Sequence, residues 1–156
     1  MKQVYLVQHG KATSEAENPA RPLTDEGRSE VQQVAAIVAR PNLKVSTIYH
    51  SGKLRARETA ELFARALGVT SVREIEGLSP LEEPARVQAL IAQADHPVML
   101  VGHLPHLSKL VSALVGTDRE VVTFQMGGVV ALVQAESGWQ IAWMLTPDVV
   151  KHLGLM

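Results

Sequence analysis

Two stretches, Val4-Tyr5-Leu6-Val7-Gln8-His9-Gly10 and Val98-Met99-Leu100-Val101-Gly102-His103, decide the fold. Each is a short unbroken apolar run that stops at a histidine with a glycine beside it. Runs of this length bounded by turn residues read as strands buried on both faces, the habit of parallel sheets. The glycines permit tight turns and close backbone approach.

Outward from the first run, a polar loop extends to Leu23. Thr24 is a good helix N-cap, with Asp25 and Glu26 in the first turn, where the dipole favours negative charge. Val31, Val34, Ala35 and Val38 recur at helical spacing until Pro41-Asn42. Val45 to His50 predicts a second strand. Ser51-Gly52 then turns the chain into a helix with a buried stripe of Ala56, Thr59, Ala60, Phe63 and Leu67, stopped by Gly68. A short strand is expected near Val72 to Ile75, then a loop over Gly77 to Glu83. Pro84 opens a helix whose apolar face is Val87, Leu90, Ile91 and Ala94. After the second decisive run, Leu107, Leu110, Val111 and Leu114 mark a helix closed by Gly116. The tail is β-rich, with strands expected at Glu120 to Phe124, Val129 to Ala135 and Trp139 to Leu145. Glu136-Ser137-Gly138 supplies a hairpin turn between the last two. Strand and helix in alternation, then a β-rich end, imply an α/β chain: three α/β/α layers around a mostly parallel central sheet. With no internal repeat and no linker, residues 1–156 are expected to form a single domain.

The 156 residues are 46% hydrophobic and 20% charged, the composition of a globular protein large enough to build its own core. The formal net charge of -1 argues against a broad basic surface for nucleic acid. Cysteine is absent, which excludes disulfides, thiolate metal sites and cysteine nucleophiles. No stretch approaches the ~20 apolar residues of a membrane span. The start has no signal-peptide pattern, so no membrane association and a cytoplasmic location are expected.

In open α/β sheets, ligands bind outside the carboxyl ends of the strands. If both decisive strands lie in one parallel sheet, His9 and His103 emerge together at that edge. Arg55 sits in the first turn of the helix that follows the second strand. There, free amides and the dipole favour an anion, and a guanidinium adds a bidentate grip on phosphoryl oxygens. Arg21 lies in the loop after His9. Either arginine alone reads as a solvated surface charge; the convergence of all four groups gives them meaning.

These elements resemble the histidine phosphatase superfamily, the phosphoglycerate-mutase-like enzymes, and in particular the small SixA-type phosphohistidine phosphatases. The matching motifs run along nearly the whole chain in family order. They are His9-Gly10 after the first strand, Pro22-Leu23-Thr24-x-x-Gly27 before the first helix, Ser51-x-x-x-Arg55-Ala56-x-x-Thr59-Ala60 on the second helix, and Gly102-His103 after a late strand. The resemblance implies a phosphoglycerate-mutase-like fold without a cap domain. It also implies His9 as the nucleophile that is transiently phosphorylated, His103 as a catalytic donor to phosphoryl oxygens, and Arg55 as the helix-borne catalytic phosphate ligand. Arg21 matches the pocket arginine of SixA-like members. Two departures stand out. The family signature is Arg-His-Gly, whereas this chain has Gln8-His9-Gly10; Gln8 can donate hydrogen bonds but carries no charge. Losing such a donor costs about 3 kcal/mol of transition-state stabilisation by analogy with an oxyanion hole. Gly52 replaces a commoner proline.

The implied reaction needs no cofactor and no metal: His9 displaces the leaving group in line, and water hydrolyses the phosphohistidine. A phosphoester leaves as an alkoxide and needs a general acid. The nearby carboxylates Glu74, Glu76, Glu82 and Glu83 read as solvated loop charges. A phosphohistidine expels imidazole more easily, which favours a phosphohistidine-bearing protein, a histidine phosphotransfer or phosphocarrier domain, as substrate and partner. Two alternatives stay open: a broad small-molecule phosphomonoesterase, and a non-catalytic phosphate-binding module, the latter because of Gln8. Trp139 and Trp143 read as packing residues, although a spacing of four does not place them on opposite faces of a strand. His50 reads as structural, and Met126-Gly127-Gly128 as a turn.

Overall fold

A computed structural model describes residues 2–154. In chain order the elements are β1 (Gln3–Gln8), α1 (Asp25–Ala39), β2 (Thr47–His50), α2 (Leu54–Leu67), β3 (Val72–Glu74), α3 (Ala85–Gln93), β4 (Val98–Gly102), α4 (His106–Val115), β5 (Val129–Ala135), β6 (Gly138–Leu145) and α5 (Pro147–His152). The six strands form one sheet in the order β3-β2-β4-β1-β5-β6. β1 to β4 are mutually parallel, while β5 runs antiparallel to β1 and to β6. The two decisive runs are neighbours at its centre, with Gln8 opposite Gly102.

Both faces of the sheet are covered. Tyr5, Val7, Met99 and Val101 pack under α1, α2 and Val150 of α5. Val4, Leu6, Val98 and Leu100 pack against α3 and α4 through Val87, Ile91, Leu107, Leu110 and Val111. Phe63 of α2 is fully buried in the first layer; truncating it to alanine would destabilise the chain by about 3–5 kcal/mol through lost burial and a residual cavity. The expected caps form: Thr24 accepts from Gly27 N–H at 2.9 Å, and Gly68 and Gly116 end α2 and α4 in the left-handed conformation. No described helix is long and apolar enough to cross a membrane.

Three features differ from expectation. Glu120 to Phe124 is not a strand. It joins no strand of the sheet; it buries Phe124 and leads to Gly127. Gly127, at φ 80°, donates its N–H to the carbonyl oxygens of Gln8 at 2.9 Å and His9 at 3.2 Å. Second, α5 carries start signals in Thr146-Pro147-Asp148, but six residues are too few to display a helical period. Third, Trp139 and Trp143 do lie on opposite faces. A β-bulge between Ala131 and Leu132 shifts the register, so Trp143 pairs with Ala131 and Ile141 with Leu132. Trp143 then approaches Tyr5 with ring centroids 6.0 Å apart, while Trp139 packs on the other layer. An inserted residue inverts the alternation, which uninterrupted spacing cannot express.

Candidate active site

The pairing of β1 with β4 carries both histidines out of the sheet side by side. Parallel neighbours lie roughly 4.8 Å apart, and His9 N–H donates to Gly102 O at 3.1 Å. The imidazole centroids of His9 and His103 are 5.0 Å apart, tilted by 49°. Both rings are buried.

The His9 tautomer follows from its partner. Nδ1 lies 2.8 Å from Gly10 O. A carbonyl only accepts, so Nδ1 holds the proton and donates, leaving the Nε2 lone pair free. Burial pushes the His9 pKa down to about 4; the Gly10 hydrogen bond opposes this, and the charges of Arg55 and Arg21 add to it. Burial likewise pushes His103 down to about 3, helped by His9, Arg55 and Lys53. Both rings are therefore neutral at pH 7.

α2 supplies the rest. Its Thr59 hydroxyl accepts from Gly10 N–H at 3.0 Å and donates to Arg55 O at 2.8 Å, joining the helix to the turn after His9. Arg55 Nε is buried with no protein partner. Its pKa is lowered by burial and then by Arg21, whose charge acts on Arg55 and on His9 alike. Arg21 adopts a left-handed conformation, φ 51°, uncommon for a side chain with a Cβ. It is held there by Nε donating to Thr13 O at 3.0 Å and by its N–H donating to Asn18 O at 2.9 Å. The loop is strapped to α2 by Glu58, which accepts from Leu23 N–H at 2.8 Å and from Arg28 at 2.9 Å.

The structure thus brings His9, His103, Arg55 and Arg21 to one edge. Gln8, at the end of β1, is buried, and its Oε1 has no protein partner. Buried polar atoms left unpaired are uncommon and mark strain or function. Ser51 went unnoticed as a functional residue. Its hydroxyl lies 2.6 Å from His103 Nε2, which leaves His103 Nδ1, also buried and unpartnered, as the ring atom for other use. Its place at the head of the second-helix motif was the one available signal. His106, three residues after His103, lacks the companions a metal site would need in the sequence, and it is fully buried at the start of α4.

Gly52 explains itself. At φ 91° the position excludes proline, and a Cβ there would stand 2.7 Å from the Glu74 carboxyl carbon. The Glu74 carboxylate therefore sits against the turn that presents Ser51. Next to it, His50 Nδ1 accepts from Gly52 N–H at 3.1 Å, a structural role.

Comparison with known proteins bears on the family and the fold. The model of the histidine phosphatase superfamily (branch 1) matches residues 4–83. The phosphohistidine phosphatase SixA of Escherichia coli is 27% identical over 156 residues, covering 96% of each chain. The structure of a protein histidine phosphatase SixA complexed with tungstate superposes with a TM-score of 0.83 at 24% identity, over 95% of this chain and 99% of that one. A phosphoserine phosphatase of Entamoeba histolytica, in complex with phosphoserine, superposes at 0.76 with 14% identity, over 95% and 98%. The fold therefore hosts more than one substrate, and the choice lies in the site.

Proposed function

The chain belongs to the histidine phosphatase superfamily, and from that premise we propose that it hydrolyses protein phosphohistidine through a phosphorylated His9. The observation that carries this reading is the His9 ring: proton held on Nδ1 by Gly10 O, Nε2 unengaged, charge suppressed by burial. A neutral imidazole with a free lone pair is the nucleophile that phosphoryl transfer requires.

In the first step His9 Nε2 forms a bond to phosphorus as the bond from phosphorus to the substrate imidazole breaks. The leaving imidazole takes up a proton from solvent. Arg55, Arg21 and Gln8 hold the equatorial oxygens, and the charge they stabilise is greatest in the transition state. Ser51 Oγ lies 2.6 Å from His103 Nε2; with the hydroxyl donating, the His103 proton resides on Nδ1, from which it hydrogen-bonds a phosphoryl oxygen. Water then attacks phosphorus, the bond to Nε2 breaks, and inorganic phosphate leaves. The substrate we favour is a histidine phosphotransfer or phosphocarrier domain, because its leaving group needs little acid catalysis. The 27% identity to SixA of Escherichia coli supports the same choice.

One observation favours a second reading, a small-molecule phosphomonoesterase. The Glu74 carboxylate beside Gly52 is an acid near the site, which an alkoxide leaving group would use.

The test is a covalent label. Incubation with ³²P-phosphohistidine-bearing phosphotransfer domain is expected to give an acid-labile, alkali-stable labelled enzyme and released phosphate. His9→Ala is expected to lose the label and at least 10³-fold of the rate. Phosphate release from His9→Ala at the wild-type rate would exclude the mechanism. Reversible binding without label or release would make the chain a phosphate-binding module. Turnover of phosphoesters with a large loss in Glu74→Gln would select the second reading.

A further inference from the structure

Gly10 sets the His9 tautomer through its carbonyl oxygen, 2.8 Å from Nδ1, and Gly10 is itself held from two sides. On one side α1 presses on the turn. A Cβ at Gly10 would stand 2.7 Å from Val31 Cγ2, and one at Gly27 would stand 2.2 Å from Lys11 O, so turn and helix meet backbone to backbone. This packing fixes where the turn lies. The hydrogen bond of the buried Gly10 N–H goes the other way, to the Thr59 hydroxyl on α2, at 3.0 Å.

Thr59 is fully buried, and chemistry settles the direction of each bond around it. A backbone N–H only donates, so the hydroxyl oxygen accepts from Gly10. A carbonyl only accepts, so the hydroxyl proton goes to Arg55 O, 2.8 Å away. Gly10 is thus engaged at both of its polar atoms: its N–H is tied to α2 and its carbonyl receives the His9 proton. No proton moves along this chain; it orients.

We propose that Thr59 is a positioning residue for the nucleophile: its hydroxyl orients the Gly10 backbone so that Gly10 O faces His9 Nδ1 and the lone pair stays on Nε2. This rests on the reading of His9 as the phosphorylated group and deepens it by one layer. Without the hydroxyl, the Gly10 N–H is left buried and unpaired, a state costly enough for the backbone to turn toward another partner. Turning it carries Gly10 O away from Nδ1. Both tautomers are then accessible, and the one with its proton on Nε2 has no lone pair there to attack phosphorus. Valine at this position keeps the shape of the side chain and removes the acceptor; serine keeps the oxygen and removes only the methyl group.

The experiment reads the ring directly. Imidazole ¹⁵N chemical shifts at pH 7 distinguish the two neutral tautomers, and the His9 signals are those missing from His9→Ala. Wild type and Thr59→Ser are expected to hold the proton on Nδ1, and Thr59→Val to show a mixture. In parallel, kcat for phosphate release from a phosphorylated histidine phosphotransfer domain is expected to fall about tenfold in Thr59→Val, with KM changed less than about threefold, and to recover most of the loss in Thr59→Ser. A proton held on Nδ1 in Thr59→Val, or an unchanged kcat, would overturn the role and leave the packing of α1 as what orients the turn. Equal losses in Thr59→Ser and Thr59→Val would trace the effect to the methyl group and overturn it too. If thermal unfolding shows that Thr59→Val does not fold, Thr59→Ala takes its place in the comparison, and a wild-type ring with its proton on Nε2 overturns the role without any variant. A wild type that forms no phosphorylated His9 would remove the phosphatase reading, and the catalytic role of Thr59 with it, whatever the tautomer.

Discussion

The two ends of the sheet make an instructive pair. At the amino end, Lys2, Gln3, Ile91, Asp95, His96 and Trp139 line a cleft of about 370 Å³. It is roomy and holds a histidine, an acid, a lysine and an aromatic ring, the usual ingredients of a binding site. The carboxyl end is different in kind. Gln8, His9 and His103 are buried there, and Gln8 Oε1, Arg55 Nε and His103 Nδ1 lack protein partners. At the amino end, Asp95 and His96 are simply exposed. Burial of unpaired polar atoms is expensive and does not persist without reason; an exposed cleft costs nothing to keep. Polar burial, more than cavity size, marks the chemical end.

That contrast can be broken at four points. The largest effect is expected for Arg55→Lys. A lysine keeps the charge but loses the planar bidentate fork, and kcat/KM should fall about 10²-fold in a steady-state phosphate-release assay. A loss below threefold would mean that the Arg55 head group does not reach the phosphoryl group. Next comes Ser51→Ala, which removes the hydroxyl on His103 Nε2 and frees the ring to change tautomer. Turnover should fall about tenfold, and Ser51→Thr, which restores the hydroxyl, should recover most of it.

Third, stability should depend on pH through the buried pair. His9 and His103 are pushed down to about 4 and 3 in the folded chain, against about 6.5 when unfolded. Between those values the unfolded chain binds more protons, so stability is fully present above about pH 6.5 and declines as pH falls. Unfolding free energies from urea titrations at pH 7 and pH 5 should differ by about 1–2 kcal/mol per histidine. His9→Ala should show a visibly smaller difference; an unchanged one would place the His9 ring in water. Smallest is the amino end: His96→Ala should leave kcat/KM within twofold, and a tenfold loss there would refute the assignment of chemistry to the opposite edge.

Much of this was legible beforehand. The decisive runs end at histidines because the apolar period stops where a strand leaves the core, and the side chains next in line must stand at its edge. Thr24, Gly68 and Gly116 announced helix ends through local chemistry, and each took the expected role. Ser51 could not be read in the same way. Its importance lies in a 2.6 Å contact with a residue 52 positions away, and spacing says nothing about such a partner. His106 is a similar case: a histidine among the apolar residues of α4 reads as ordinary until its burial is known. The misread strand at Glu120 to Phe124 shows the converse error. Its residues suit a strand, but the segment pairs with no strand of the sheet; it buries Phe124 and leads into the Gly127 turn.

What the amino-acid order determined by itself was local: which segments are strands or helices, where each is capped, and which ionisable groups stand at element ends. Those properties depend on a residue and its near neighbours, through steric preference, capping hydrogen bonds and apolar period. Only the tertiary structure decided that two imidazoles lie 5.0 Å apart, that burial keeps both neutral, and that Thr59 ties the nucleophile's turn to the arginine's helix. Distance, desolvation and hydrogen-bond partnership are relations across the fold, and they exist only once the chain has closed on itself.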